Sequence, residues 1–199
     1  MASVTPMMQQ YLDTKAEYKD CILFFRLGDF YEMFFDDART ASRELELTLT
    51  GKDCGLSERA PMCGVPYHAV DTYVEKLIER GYKVAICEQM EDPALAKGLV
   101  KRAVTRIITP GTVTDAAMLE EGKSNSLGAV YCEAGKCAAA FCDISTGEFY
   151  VAEGPDNYID KLLSNLSPKE IIYQRGFDER FRQAFGTNYY TYKLGDWVF

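Results

Sequence analysis

The stretch Arg26–Phe35, which reads RLGDFYEMFF, decides how this chain is understood. An apolar run, CILFF at residues 21–25, leads into it, and two acids, Asp36 and Asp37, lead out. Gly28 and Asp29 are turn residues, the first able to hold φ > 0 and the second able to close an Asx-turn. If the residues after that turn are extended, side chains alternate and Phe30 and Glu32 project from one face. An aromatic ring beside a carboxylate is an unusual pair for a core strand, whose inner face holds apolar groups on both positions. Taken alone, Phe30, Met33, Phe34 and Phe35 also fit a core, with Glu32 a solvated residue at a helix start. The surrounding blocks separate these readings.

Those blocks are GDFYE at Gly28–Glu32, PMCGVPYHA at Pro61–Ala69, AICEQ at Ala85–Gln89 and RIITPGT at Arg106–Thr112. In this order and spacing they resemble the N-terminal region of bacterial MutS, the DNA mismatch-recognition family. The resemblance runs from about Thr5 to about Leu127 and more loosely to the end of the chain. Met33, after the Phe-x-Glu motif, is a mild variation on a usually aliphatic site. The resemblance implies an α/β (α+β) chain with an N-terminal mixed-sheet mismatch-recognition domain over residues 1–111. A linker at 112–126 and an incomplete, ribonuclease-H-like connector domain over 127–199 follow. It also implies that Phe30 stacks on a mispaired base from the minor-groove side while Glu32 hydrogen-bonds it. The PMCGVPYHA segment would lie against the DNA backbone, making Met62, Gly64 and Pro66 contact candidates. The implied partners are mismatched double-stranded DNA, a second subunit in the full-length family, and downstream repair proteins docking on the connector. ATP and Mg²⁺ belong to an ATPase domain of the family that lies beyond these residues. No G-x-x-x-x-G-K-[ST] loop occurs in this chain, so it is not read as an enzyme by itself.

Composition sets bounds on these expectations. With 199 residues, 47% hydrophobic and 13% aromatic, the chain can bury a sizeable core in one or two domains. No run of 18 apolar residues marks a membrane span, and the N-terminus lacks the pattern of a secretory signal. The seven cysteines are an odd number in a chain large enough to do without staples. They read as free thiols in a reducing cytoplasm, the bacterial nucleoid-associated location the family implies. A net charge of −8 and a pI near 4.8 are no footprint of a general nucleic-acid binder. The exception is local: from Pro93 to Thr114 there are Lys97, Lys101, Arg102 and Arg106 and no acid, enough for a few phosphate contacts.

Along the chain, Thr5 and Pro6 predict a helix start, with the helix running to about Lys19. Residues 21–27 read as a buried strand, residues from Phe34 or Asp36 to Glu46 as a helix, and 47–50 as a short strand. Gly51 to Ala60 is a polar loop, and the prolines and glycine of PMCGVPYHA argue against a regular strand there. Val70, Tyr73, Val74, Leu77 and Ile78 recur at helical spacing and stop at Gly81. A strand over 82–87, a helical piece at 93–95 and a strand over 103–109 close the first domain. In the second, three strands (127–133, 137–145, 148–153) form an antiparallel meander. A helix over 155–166, a strand over 169–173 and a helix over 177–185 follow.

Other chemistries weigh less. Cys54, Cys63, His68 and Cys87 match no zinc-ligand spacing. Asp143 and Glu148 flank a turn on a fold that can carry a two-metal carboxylate site, so a metal-dependent nuclease is one rival reading. A protein-binding scaffold, which the acidic pI permits, is another. The leading expectation is that deformability of the duplex is read. A ring pushed between base steps costs less where stacking has already failed. A carboxylate only accepts hydrogen bonds, so Glu32 meets a base acceptor only when protonated; alternatively, it penalises well-stacked DNA and so favours mismatches.

Overall fold

Thr5 opens the first helix as its position predicts. Its Oγ1 accepts a hydrogen bond from the Met8 amide at 3.4 Å, and Pro6 is the first residue of α1 (Pro6–Glu17). The computed structural model describes residues 4–114, 118–119, 124–133, 135–195 and 198. Its contacts divide the chain into two units, Met1–Ile108 and Thr109–Phe199.

The first unit is built on a six-stranded sheet. Its strands are β1 (Cys21–Leu27), β2 (Phe30–Phe34), β3 (Thr50–Lys52), β4 (Ala60–Pro66), β5 (Lys83–Gln89) and β6 (Arg102–Ile108). They lie in the order β3-β4-β2-β1-β5-β6, all pairs antiparallel except β1 with β5. Alternation along β1 and β2 sends their side chains to two separate cores. On one face Leu23, Phe25 and Phe34 pack with Met8 and Tyr11 of α1, together with Ala85 and Cys87. The Tyr11 ring meets those of Phe25 and Phe34 edge-on at 5.4 and 4.9 Å. On the other face lie Phe24, Tyr31, Met33 and Cys63, covered by α2 (Phe35–Leu45) and α3 (Val70–Glu79). Asp37, the second of the two acids that follow the motif, is buried. It accepts from the Leu23 amide at 3.0 Å and from the Tyr11 hydroxyl at 3.2 Å, and pairs with Lys15 at 2.9 Å, tying α1, β1 and α2 together.

Three local expectations need correction. The short strand predicted over 47–50 lies at Thr50–Lys52 instead. PMCGVPYHA, read as too proline-rich for a regular strand, is largely β4, between β3 and β2. The prolines are tolerated because neither has a partner strand on both sides. Pro61 pairs with Gly51 of β3 but lies past the end of β2, whereas Pro66 pairs with Phe30 of β2 but lies past β3. Residues 93–95 form a turn closed by the Asp92 side chain and carbonyl rather than a helix.

The second unit carries β7 (Ser126–Glu133), β8 (Lys136–Asp143), β9 (Glu148–Gly154), β10 (Glu170–Gln174) and β11 (Thr191–Leu194). The order is β11-β10-β7-β8-β9: an antiparallel meander, then two strands running parallel to β7. The helices α4 (Asp156–Leu166) and α5 (Asp178–Phe185) cover one face. Ile159, Leu163, Phe181 and Phe185 pack there on Val130, Phe141, Ile171 and Tyr173. This is the order of elements expected for a ribonuclease-H-like connector, with β11 added, a strand the sequence did not suggest. Residues 109–114, read as the end of the first domain and the start of a linker, group with this unit. A Cβ on Gly111 would stand 3.1 Å from Leu127 Cα, and Val113 is buried. Seven of the fifteen residues of the expected linker (115–117 and 120–123), and Ala134 of the β7–β8 turn, lie outside the described residues.

The free-thiol reading holds for Cys21, Cys54, Cys63, Cys87 and Cys142 and fails for Cys132 and Cys137. Those two face each other across the β7–β8 hairpin with Cα atoms 4.0 Å apart, and their sulfurs are joined in a disulfide. Burial pushes the thiols of Cys21, Cys63 and Cys87 up to about 11, so these are packing groups rather than nucleophiles.

Candidate nucleic-acid interface

The Gly28–Asp29 turn joins β1 to β2 with only two residues between the paired Leu27 and Phe30. Gly28 has φ 59 while Asp29 does not leave the negative-φ region, the signs of a type II′ hairpin turn with glycine at its first central position. The turn is held from three sides. The Gln89 side-chain oxygen accepts from the Gly28 amide at 2.9 Å, the Asp29 carbonyl accepts from the Tyr67 amide at 2.9 Å, and Arg26 Nε donates to the Gly28 carbonyl. The Arg26 guanidinium lies 4.0 Å from the Tyr67 ring centroid and 3.8 Å from the Glu88 carboxylate. Tyr31, on the opposite face of β2, donates its hydroxyl to Glu88. Burial, then that carboxylate, push Tyr31 up to about 12.

On this support Phe30 is 48% exposed, although its strand neighbours Tyr31 and Met33 are buried. Glu32, two residues on, shares its face, as alternation predicts. Phe25 and Gly64 stand opposite it in the two neighbouring strands. Its carboxylate receives the Lys52 ammonium at 2.5 Å, with the two side chains 16% and 32% exposed. Beyond Phe34 the chain turns into α2 through Phe35, at φ 53. That left-handed conformation costs a non-glycine residue about 1 kcal/mol. The Phe35 ring packs against the α1 core beside Tyr11.

The remaining sequence candidates divide. Pro66 stands opposite Phe30 on the same face and borders it. Met62 is packed against the α1 core and is a margin of that core rather than an outward contact. Gly64, the third contact candidate of that segment, is bare for a reason within the fold. A Cβ there would lie 3.2 Å from the Tyr31 carbonyl oxygen and 3.5 Å from Glu32 Cγ, so its bareness is already required by β2.

The basic segment does not act as one cluster. Arg102 is half-buried and engaged inward: Nε donates to the Arg26 carbonyl at 2.7 Å, and Nη1 donates to the Gln10 side chain at 2.8 Å and the Val100 carbonyl at 3.0 Å. Its charge lies 5.2 Å from the Phe25 ring centroid, and burial pulls the guanidinium below the usual arginine range. Arg106 pairs with Ile86 and belongs to the α3 face, opposite Phe30, around a recess shared with Tyr31, Asp71 and Glu88. Lys97 and Lys101 are exposed on the segment leading into β6. Sequence reasoning missed Lys52, Arg26, Tyr67 and Gln89. Each acts through a partner on another strand or loop, and no local pattern announces those pairings.

Neither rival chemistry gathers its residues. Cys63 points toward α2, its thiol donating to the Ala38 carbonyl at 3.4 Å, whereas Cys54 and Cys87 belong to the α1 core and His68 is exposed beside Tyr67. Asp143, paired in register with the exposed Glu148, is buried and already satisfied as an acceptor. Ser145 contacts one oxygen through its hydroxyl (2.6 Å) and its amide (3.0 Å), and Ser124 Oγ and the Asn125 amide the other. These bonds, that of the Ser145 hydroxyl foremost, hold the carboxyl down at about 2. Among the described residues, the one group of three metal-ligand types within reach of one another is Cys132, Cys137 and Asp156. Two of these are spent on the disulfide.

Comparison with known proteins gives two consecutive matches. The family model described as MutS domain I covers residues 5–117, and that for MutS domain II covers residues 125–191. The DNA mismatch repair protein MutS of Acetivibrio thermocellus is 59% identical over 98% of this chain, which spans 23% of that protein. Its namesakes in Ruminiclostridium cellulolyticum and Clostridium botulinum are 63% and 56% identical over 86% and 89% of the chain, spanning 20% and 19% of those proteins. The chain thus spans about a fifth of the length of the relatives it matches. With both domain models matched in order, and with Phe30 and Glu32 side by side on one strand, the chain belongs to the MutS family.

Proposed function

We propose that the first unit senses mispaired or unpaired bases in duplex DNA by inserting Phe30 from the minor groove, with Glu32 contacting the displaced base. The observation that carries this reading is the exposure of Phe30. A large ring is kept out of the core on a strand whose turn is bonded on three sides. Unstacking a base step costs a few kcal/mol, roughly, and a mispaired step has already lost part of its stacking, so the same wedge enters it at lower cost. Discrimination is then a difference in deformation energy, and the acidic balance of the chain is no obstacle, because sequence-independent phosphate attraction favours neither duplex. Pro66 borders the wedge. Lys97 and Lys101 supply phosphate contacts, while Arg102 holds β6 to β1 and α1.

The role belongs to a larger protein. In the full-length protein, the reading assigns ATP and Mg²⁺ to parts outside this chain, whose 199 residues hold no phosphate-binding loop. It also assigns pairing with a second subunit, and docking of downstream repair proteins on the second unit. The test is fluorescence anisotropy of the full-length protein with G·T, unpaired-T and matched duplexes of one flanking sequence. Phe30→Ala is expected to remove the preference for the first two; an unchanged preference would refute the wedge.

A further inference from the structure

Glu32 has a partner that the Phe-x-Glu motif does not include. Lys52, on the edge strand β3, reaches past β4 and sets its ammonium 2.5 Å from Glu32 Oε2 and 5.8 Å from the Phe34 ring centroid. The path lies beside Gly64, where a Cβ would stand 3.5 Å from Glu32 Cγ. The other side chains facing Glu32 carry no charge: Phe30 and Phe34 on its own strand, Phe25 on β1, and Met62 and Pro66 on β4. Among the described residues Lys52 is the one cation paired with it.

A carboxylate carried into a minor groove beside an inserting ring meets one phosphate charge per about 1.7 Å of duplex axis. Two things can relieve that repulsion: a proton taken up by the carboxyl, or a cation brought along with it. Here the cation is already in place, a third exposed and on the same face as the wedge. We propose that Lys52 is a specificity-determining residue of the mismatch site, entering the groove as the counter-ion of Glu32. With that partner Glu32 acts as an acceptor, taking a hydrogen bond from an N–H group of the displaced base rather than donating one to a ring nitrogen. This rests on the reading of Phe30 and Glu32 given above.

The experiment is a double-mutant cycle in the full-length protein, reading the ratio of affinities for G·T and matched duplexes. Lys52→Met is expected to lower that ratio about tenfold, and to change it less than about twofold when Glu32 is already Gln, because no anion then needs a partner. Lys52→Arg, which keeps the cation, is expected to restore most of the ratio. Additive effects in the cycle, or equal weakening of both duplexes by Lys52→Met, would each overturn the inference. Phe30→Ala measured alongside keeps the two ideas separate. If it leaves the ratio intact, the base-reading site itself fails; if it collapses the ratio while the cycle is additive, only the role of Lys52 fails.

Discussion

Phe30 gives the fold little, because half of its surface is already in water. Phe30→Ala is expected to cost less than about 1 kcal/mol in urea unfolding while removing discrimination, a split that a core residue would not show. Glu32→Ala or Glu32→Gln is expected to narrow the affinity gap between mismatched and matched duplexes without abolishing binding, read by the same anisotropy titration. Asp143 illustrates the opposite case, a side chain spent on structure. Its folded value of about 2 lies below the ordinary 3.8, so its stabilisation is complete above about pH 4 and is lost as pH falls through about 2. Asp143→Ala is expected to destabilise the second unit by about 2 kcal/mol near neutral pH and to flatten the acid limb of its stability profile, measured by thermal unfolding across pH. At this scale the sequence identified Phe30 and Glu32 through alternation and family motif together. It read Asp143 as a hairpin-tip residue, because nothing local shows that Ser124 and Asn125 return to its second oxygen.

Elements were legible where their pattern is local. The amphipathic spacing of α3, the capped start of α1 and the β7–β8–β9 meander all fall within a few residues of expectation. The failures share one cause. β3 and β4 exist as strands through their pairing with each other and with β2, eight to thirty-six residues away, and single-segment propensity cannot register that gain. Reading residues 51–60 as a polar loop also hid Lys52, on β3, and the strand register gives Gly64 a packing role of its own. Its substitution now has a structural consequence. Gly64→Val is expected to lower stability by about 1–3 kcal/mol through collision with the Tyr31 carbonyl and Glu32, and to blunt mismatch preference indirectly, measured by unfolding and binding together. Pro61 and Pro66 mark where each neighbouring strand runs out, a meaning available only once the register is known.

For the molecule as a whole, the two-domain arrangement and the mixed α and β content follow from the order of elements, and the two consecutive family matches agree with it. Contacts place the division at Thr109, with Gly111 against Leu127 and Glu170 of the second unit. Net charge points away from nucleic acid, and the basic segment 93–114 is the local exception. With Arg102 turned inward and Arg106 on the opposite face, that segment offers Lys97 and Lys101. Replacing both with Gln is expected to weaken matched and mismatched binding alike and to reduce the salt slope by about 2, read from affinities across a salt series. Arg106→Gln is expected to leave that slope unchanged.

The most direct measurement places 2-aminopurine beside a G·T pair and follows its fluorescence as the full-length protein is added to saturation. The account predicts a rise on binding, reporting loss of stacking at the step that Phe30 enters, and no rise with saturating Phe30→Ala protein. An equal rise with Phe30→Ala would show that the step opens without the ring and would contradict the central claim.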